Sequence, residues 1–243
     1  MSSIPFENCD YEVRQNLIDA HQEAWAKIAA PGTWLDSEQR LAEIRQARSC
    51  DFCHEIKDAL SPNAVTGVHT ATGALSDAEV ELIHRGVSDP GRLSQKWTQD
   101  VLAGGLSEGE YVEIVGIIAS VMIMDTATTA LGCPDTDAPE VVTGEPSRYQ
   151  PPGARVEAAW LPIVEPEDAV EADGPMYPSP KAGYIYRGLS SVPESMRNYW
   201  AMANEHYLPG QYVYQFDQTI RAISRPQMEL MAARVSGLHQ CAY

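Results

Sequence analysis

The chain has 243 residues, enough to bury a full core as one large domain or two small ones. Hydrophobic residues make up 44% of it, which is ordinary for a globular protein. The formal net charge of −17 repels phosphate backbones and anionic lipid, so neither nucleic acid nor a membrane is expected as a partner.

Helical periodicity dominates the first part of the chain. Residues 11–30 carry apolar side chains at helical spacing, and Pro31-Gly32 ends that segment. Asp36 or Ser37 can cap a second helix that runs toward Cys50. The sequence therefore predicts two successive helices that lead into a cysteine.

Three more helices are predicted in the next stretch. Residues 76–79 resemble a capping box and open one helix, and a second follows the turn at 89–91. The third and most apolar covers roughly 107–131. Its all-round apolar character predicts a buried central helix, also at a subunit contact.

The character of the sequence changes between residues 134 and 183, where prolines and acidic residues predict a long ordered loop or linker. Helical patterns return at Ser191-Val192-Pro193-Glu194, with Ser191 as the expected cap, and near Ser224. The last helix is predicted to run to Cys241. No convincing set of strands is present, so the predicted fold class is all-α.

Cys50 and Cys53 form a Cys-x-x-Cys pair, a spacing used for a redox dithiol, half of a metal site or a haem anchor. The first residues lack the features of a signal peptide, and no apolar run reaches about 18 residues, which predicts a cytoplasmic protein. Cysteines are normally reduced there, so the pair is interpreted as a redox dithiol.

The spacing between a glutamate and a cysteine occurs twice in the chain. Glu38 lies twelve positions before Cys50, and Glu229 lies twelve positions before Cys241, each time with a predicted helix between them. This indicates a duplicated unit. The sequence given ends one residue before a second Cys-x-x-Cys would be complete. Besides a natural stop, two hypotheses explain this: a truncated sequence, or a UGA selenocysteine codon read as a stop.

These features resemble the AhpD-like alkylhydroperoxidase / carboxymuconolactone decarboxylase superfamily. Three stretches carry the resemblance: 38–53, 106–122 and 224–243. It implies an AhpD-like helical fold with a duplicated unit. The implied division is 1–133 with the Cys-x-x-Cys pair, the linker 134–183, and an incomplete second unit 184–243.

The resemblance also implies peroxide reduction by a dithiol in a homo-oligomer. By position, Cys53 attacks a small-molecule peroxide, Cys50 resolves the product, and Glu38 belongs to a proton relay. Glu229 and Cys241 hold the matching places in the second unit. An external thiol reductant, which the sequence does not identify, regenerates the dithiol.

The chain departs from the family pattern at two histidine positions, where Lys57 and Phe52 stand instead. His54 and His69 are the candidates to replace them. Cys9 and Cys133 are interpreted as structural residues, and the histidines of the helical segments as surface or packing residues.

Several alternatives remain open. Cys-x-x-Cys-His is also the pattern of c-type haem attachment, and Cys50, Cys53, His54 and His69 could together hold zinc. We expect neither a cofactor nor a metal. Decarboxylase chemistry on a small lactone acid is a competing activity within the same superfamily. A non-enzymatic helical oligomerisation or binding module with a vestigial dithiol is the other alternative.

Overall fold

The computed structural model describes residues 5–49, 71–238 and 241. Over these ranges the chain forms eight α-helices and no β-strand, which confirms the all-α prediction. The helices are α1 (Gln15–Ala29), α2 (Ser37–Arg48), α3 (Asp77–Ser88), α4 (Gln95–Ala103), α5 (Glu108–Ala130), α6 (Tyr184–Arg187), α7 (Pro193–His206) and α8 (Arg225–Leu238). The duplicated AhpD-like unit stays a prediction.

Three helices begin at capping boxes, of which the sequence predicted the one at residues 76–79 and, for the other two, only where the helix starts. The side chains of Asp36, Ser76 and Ser107 each accept a hydrogen bond from the third backbone N–H of α2, α3 and α5. The start of α7 differs, because Val192 occupies the cap position without a side-chain hydrogen bond and Pro193 lies in the first turn. The prediction that Ser191 caps this helix is therefore wrong.

The central element is α5, which packs against α2, α3 and α7. Ile114, Val121 and Met124 on this helix are almost fully buried in the main hydrophobic core. By length and composition α5 could span a membrane, although the sequence analysis found no apolar run of that length. Of its most apolar window, 56% is buried inside the fold, as in the core helix of a globular protein.

The chain after residue 184 packs on the helices before it. Val192 and Met202 belong to the same core cluster as Trp25 of α1. The linker is also tied to this core, because the Val142 N–H donates to the Ala29 carbonyl and the Ser37 hydroxyl donates to the Val142 carbonyl. The predicted ordered loop thus runs along the corner between α1 and α2 of its own chain.

Candidate functional site

A stripe of polar residues runs along the buried face of α2. Arg40, Glu43 and Gln46 are spaced by three residues and are 3%, 0% and 0% exposed. Residues at this spacing lie on one side of a helix. Cys50 follows Gln46 by four positions in the sequence. The stripe was visible as three polar residues at helical spacing, but the sequence analysis did not single it out.

The first member of the stripe forms a buried ion pair. Arg40 Nη1 lies 2.6 Å from Glu113 Oε1, while the backbone N–H groups of Thr33 and Trp34 donate to Glu113 Oε2. Burial raises the pKa of Glu113, and the Arg40 charge opposes that shift. Gly32 leaves room for the pair, since a Cβ there would lie 1.8 Å from Arg40 Nη1. This pair joins α2, α5 and the turn after α1.

The last member of the stripe orients a buried histidine. Gln46 Oε1 accepts hydrogen bonds from the Thr72 N–H at 2.8 Å and the Thr72 hydroxyl at 3.0 Å. A backbone N–H can only donate, so the Gln46 amide nitrogen faces His84 Nε2 at 2.6 Å and donates to it. His84 therefore presents a lone pair at Nε2. It is fully buried, so of the two interpretations offered for it, a surface or a packing residue, burial is consistent only with the second.

Among the described residues, no donor group hydrogen-bonds to either carboxylate oxygen of Glu43, although the whole side chain is buried. Its one polar neighbour of note is the Glu79 carboxyl, whose hydrogen bond favours the protonated form of Glu43. Burial, reinforced by the negative charge of Glu79, raises its pKa to about 9. Glu43 is consequently a neutral carboxylic acid at pH 7. A buried acid of this kind is typical of a group that delivers a proton.

The end of α2 is fixed by Arg48. Its guanidinium makes two hydrogen bonds to the Asp125 carboxylate, at 2.9 and 2.6 Å, and a third to the Thr136 carbonyl at 3.1 Å. It also lies 5.0 Å above the Trp25 ring. These contacts hold the last turn of α2 against α1 and α5, so the chain that enters the Cys-x-x-Cys segment leaves from a fixed point.

Four of the predicted site residues, Cys50, Cys53, His54 and His69, lie outside the described residues. Glu38 is described and is exposed in the first turn of α2. Arg48, at the other end of the helix, lies ten positions further along, about 15 Å at the rise of an α-helix. The structure thus places Glu38 in solvent and Glu43 in the interior.

The predicted residues of the second unit are near the surface. Glu229 accepts hydrogen bonds from Tyr207 and Arg225, which hold the pKa of its carboxyl below the usual range. Cys241 is an exposed free thiol whose backbone N–H donates to the Ser236 carbonyl at 3.0 Å. They lie at the two ends of α8, so the described residues do not bring them together as a compact site.

No protein-family model, curated protein or solved structure matches this chain. Among the described residues, no group of three or more His, Cys, Asp or Glu side chains could hold a metal ion.

Proposed function

We propose that this chain is a thiol-dependent peroxidase in which Cys53 attacks the peroxide and Cys50 resolves the product. The observation that carries the proposal is the buried neutral acid Glu43, which lies on the helix that leads into this cysteine pair. Peroxide reduction needs a proton for the leaving oxygen, and a carboxylic acid with a pKa near 9 keeps one available at neutral pH.

The proposed chemistry has two steps. The Cys53 thiolate attacks the distal oxygen of ROOH, the O–O bond breaks, and ROH leaves with a proton from Glu43. Cys50 then displaces hydroxide from the Cys53 sulfenic acid, which forms a disulfide and releases water. An external dithiol reduces this disulfide, and Glu43 regains a proton from solvent.

Two glutamates compete for the role of proton donor. The family resemblance assigns the relay to Glu38, whereas burial and protonation favour Glu43. We therefore assign the proton to Glu43 and expect Glu38→Gln to retain activity.

The experiment is turnover of hydrogen peroxide and cumene hydroperoxide with dithiothreitol as reductant. Wild type is compared with Cys53→Ser, Cys50→Ser and Cys241→Ser. We expect Cys53→Ser to turn peroxide over far more slowly than wild type, Cys50→Ser to accumulate a sulfenate at Cys53 that a dimedone probe traps, and Cys241→Ser to remain active. Equal peroxide consumption by wild type and Cys53→Ser would refute the peroxidase proposal.

The exposed face of α8 supports the expected homo-oligomer and also favours the alternative of a helical binding module. Met231, Val235 and Leu238 are spaced i, i+4 and i+7, and they are 60%, 54% and 44% exposed. A second copy of the chain would cover this apolar stripe. Light scattering should show that Val235→Lys weakens self-association, whereas Val156→Lys in the linker should leave it unchanged. If the Val235→Lys protein self-associated as strongly as wild type, this face of α8 would not be the contact between copies of the chain.

A further inference from the structure

Two cysteines that are far apart in the sequence meet at the end of α5. Cys9 Sγ lies 4.0 Å and Cys133 Sγ lies 3.9 Å from the same carbonyl oxygen, that of Leu131. The two side chains are close enough for the Cys9 thiol to raise the pKa of Cys133. Their sequence separation concealed this pairing, which is why each was interpreted as a single structural residue.

The two thiols differ in their surroundings. Cys9 is half-buried, whereas Cys133 is 7% exposed. Burial, the Cys9 thiol and the charge of Asp10 raise the pKa of Cys133 to about 11. Cys9 is therefore the more accessible of the two thiols to an oxidant from solvent. Cys133 is less accessible and remains a protonated thiol at neutral pH.

The segment that carries Cys9 is held to the fold by local contacts. The Phe6 ring packs 4.7 Å from the His21 ring, and the Cys9 N–H donates to the Phe6 carbonyl at 3.2 Å. Phe6 is 7% exposed, so this turn is seated in the interior. Cys9 is consequently presented to Cys133 by a packed turn.

We propose that Cys9 and Cys133 form a second redox pair, which closes to a disulfide when the protein meets peroxide. The Cys9 sulfur attacks the peroxide, the O–O bond breaks, and ROH leaves as Cys9 becomes a sulfenic acid. Cys133 then displaces the hydroxyl group from that sulfur, so an S–S bond forms and water leaves with the Cys133 proton. Two thiols are oxidised and one peroxide is reduced.

The consequence of closure is a covalent link between the N-terminal turn and the end of α5. The loop it closes contains α1 to α5, and cross-links across long loops restrict the unfolded chain most. We therefore expect the oxidised protein to have a thermal midpoint higher by about 5–10 °C than the reduced protein. Cys9 and Cys133 would thus form a stabilising disulfide in response to peroxide, independently of the proposed Cys50–Cys53 dithiol.

The test uses the full chain with Cys50→Ser and Cys53→Ser, so that peroxidase activity plays no part. The protein is treated with one equivalent of hydrogen peroxide, its remaining thiols are alkylated, and its peptides are mapped by mass spectrometry. We expect a cross-linked peptide that joins Cys9 to Cys133 and has lost two hydrogens. Adding Cys9→Ser should abolish both the cross-link and the rise in thermal midpoint.

Cys241→Ser is the matched control, since it removes an exposed thiol and should leave the cross-link intact. Separate alkylation of Cys9 and Cys133 after peroxide treatment and unfolding would overturn the proposal, as would a cross-link from Cys9 to Cys241. The result is separable from the proposed function, because the reaction of Cys53 with peroxide is measured in a chain that carries Cys9→Ser and Cys133→Ser.

Discussion

Glu43 on α2 and Glu113 on α5 are both fully buried, yet their surroundings are opposite. Three donors serve Glu113, which are the Arg40 guanidinium and the N–H groups of Thr33 and Trp34. No donor group in the described part of the chain hydrogen-bonds to Glu43, whose neighbour is instead a second carboxyl, that of Glu79. Glu113 is therefore one half of a structural ion pair, whereas Glu43 in the same core is a protonated acid.

The difference shows how a buried carboxyl can be interpreted. A charge with a full set of donors holds elements together, and removing its partner costs stability. An unpartnered carboxyl destabilises the fold and is expected to persist where its proton has a use. Each prediction below tests one side of this comparison.

The largest effect is expected at the paired glutamate. Arg40→Ala leaves the Glu113 carboxyl without its cation in the interior, so it should lower the free energy of unfolding by about 3–5 kcal/mol. Urea denaturation at pH 7 measures this. Lys96→Ala is the control, since it breaks an exposed pair with Asp100 and should cost below about 0.5 kcal/mol. If Arg40→Ala and Lys96→Ala lowered the free energy of unfolding equally, the Arg40–Glu113 pair would have no special structural role.

The next effect depends on pH. The pKa of Glu43 rises from 4.5 to about 9 on folding, so between these values the folded state binds more protons than the unfolded state. Wild type should therefore lose about 1.4 kcal/mol per pH unit relative to Glu43→Gln as the pH rises through this window. Denaturation of both proteins at pH 5, 6 and 7 measures the slope. Parallel pH profiles would show that Glu43 is ionised in the folded protein.

A third prediction concerns the space around the ion pair. Gly32→Ala would place a Cβ 1.8 Å from Arg40 Nη1 and 1.9 Å from Glu113 Oε1, and should lower the free energy of unfolding by about 1–3 kcal/mol. Gly237→Ala meets nothing within 4 Å on the exposed α8 and should instead stabilise by up to about 1 kcal/mol. Thermal denaturation measures both changes, and the thermal midpoint should fall in Gly32→Ala and rise in Gly237→Ala. A stable Gly32→Ala protein would mean that the pair can move aside.

The smallest effect is expected at Glu38. Its side chain is exposed in the first turn of α2, so Glu38→Gln removes only a favourable interaction with the helix dipole. The loss in the free energy of unfolding, measured by urea denaturation at pH 7, should remain below about 1 kcal/mol. A larger loss would indicate that Glu38 has a partner whose removal costs stability and would weaken its contrast with Glu43.

The sequence predicted those elements that depend on local signals. Asp36, Ser76 and Ser107 mark helix starts, because each side chain can accept a hydrogen bond from the backbone N–H three residues later. The structure contains all three of these hydrogen bonds. The apolar composition of α5 likewise predicted its burial. These features could be predicted because the interacting residues are close together in the chain.

The candidate site depended on contacts across the chain and was predicted less well. Glu43 and Glu38 are both acidic residues on one short helix, and only the packing of α2 against α5 decides which is buried. The meeting of Cys9 with Cys133 depends on the path of α1 to α5 between them. The twelve-residue spacing drew attention to Glu38, while the three-residue stripe through Glu43 was the more informative pattern.

The most direct test is the rate at which peroxide oxidises Cys53, measured by stopped flow in a Cys9→Ser, Cys133→Ser background. Glu43→Gln should slow this step by about 100-fold or more, because it removes the proton donor. Glu38→Gln should leave the rate within about twofold of the parent, and Cys53→Ser should abolish the reaction. Unchanged rates in Glu43→Gln, with a large loss in Glu38→Gln, would contradict the account and return the relay to the exposed glutamate.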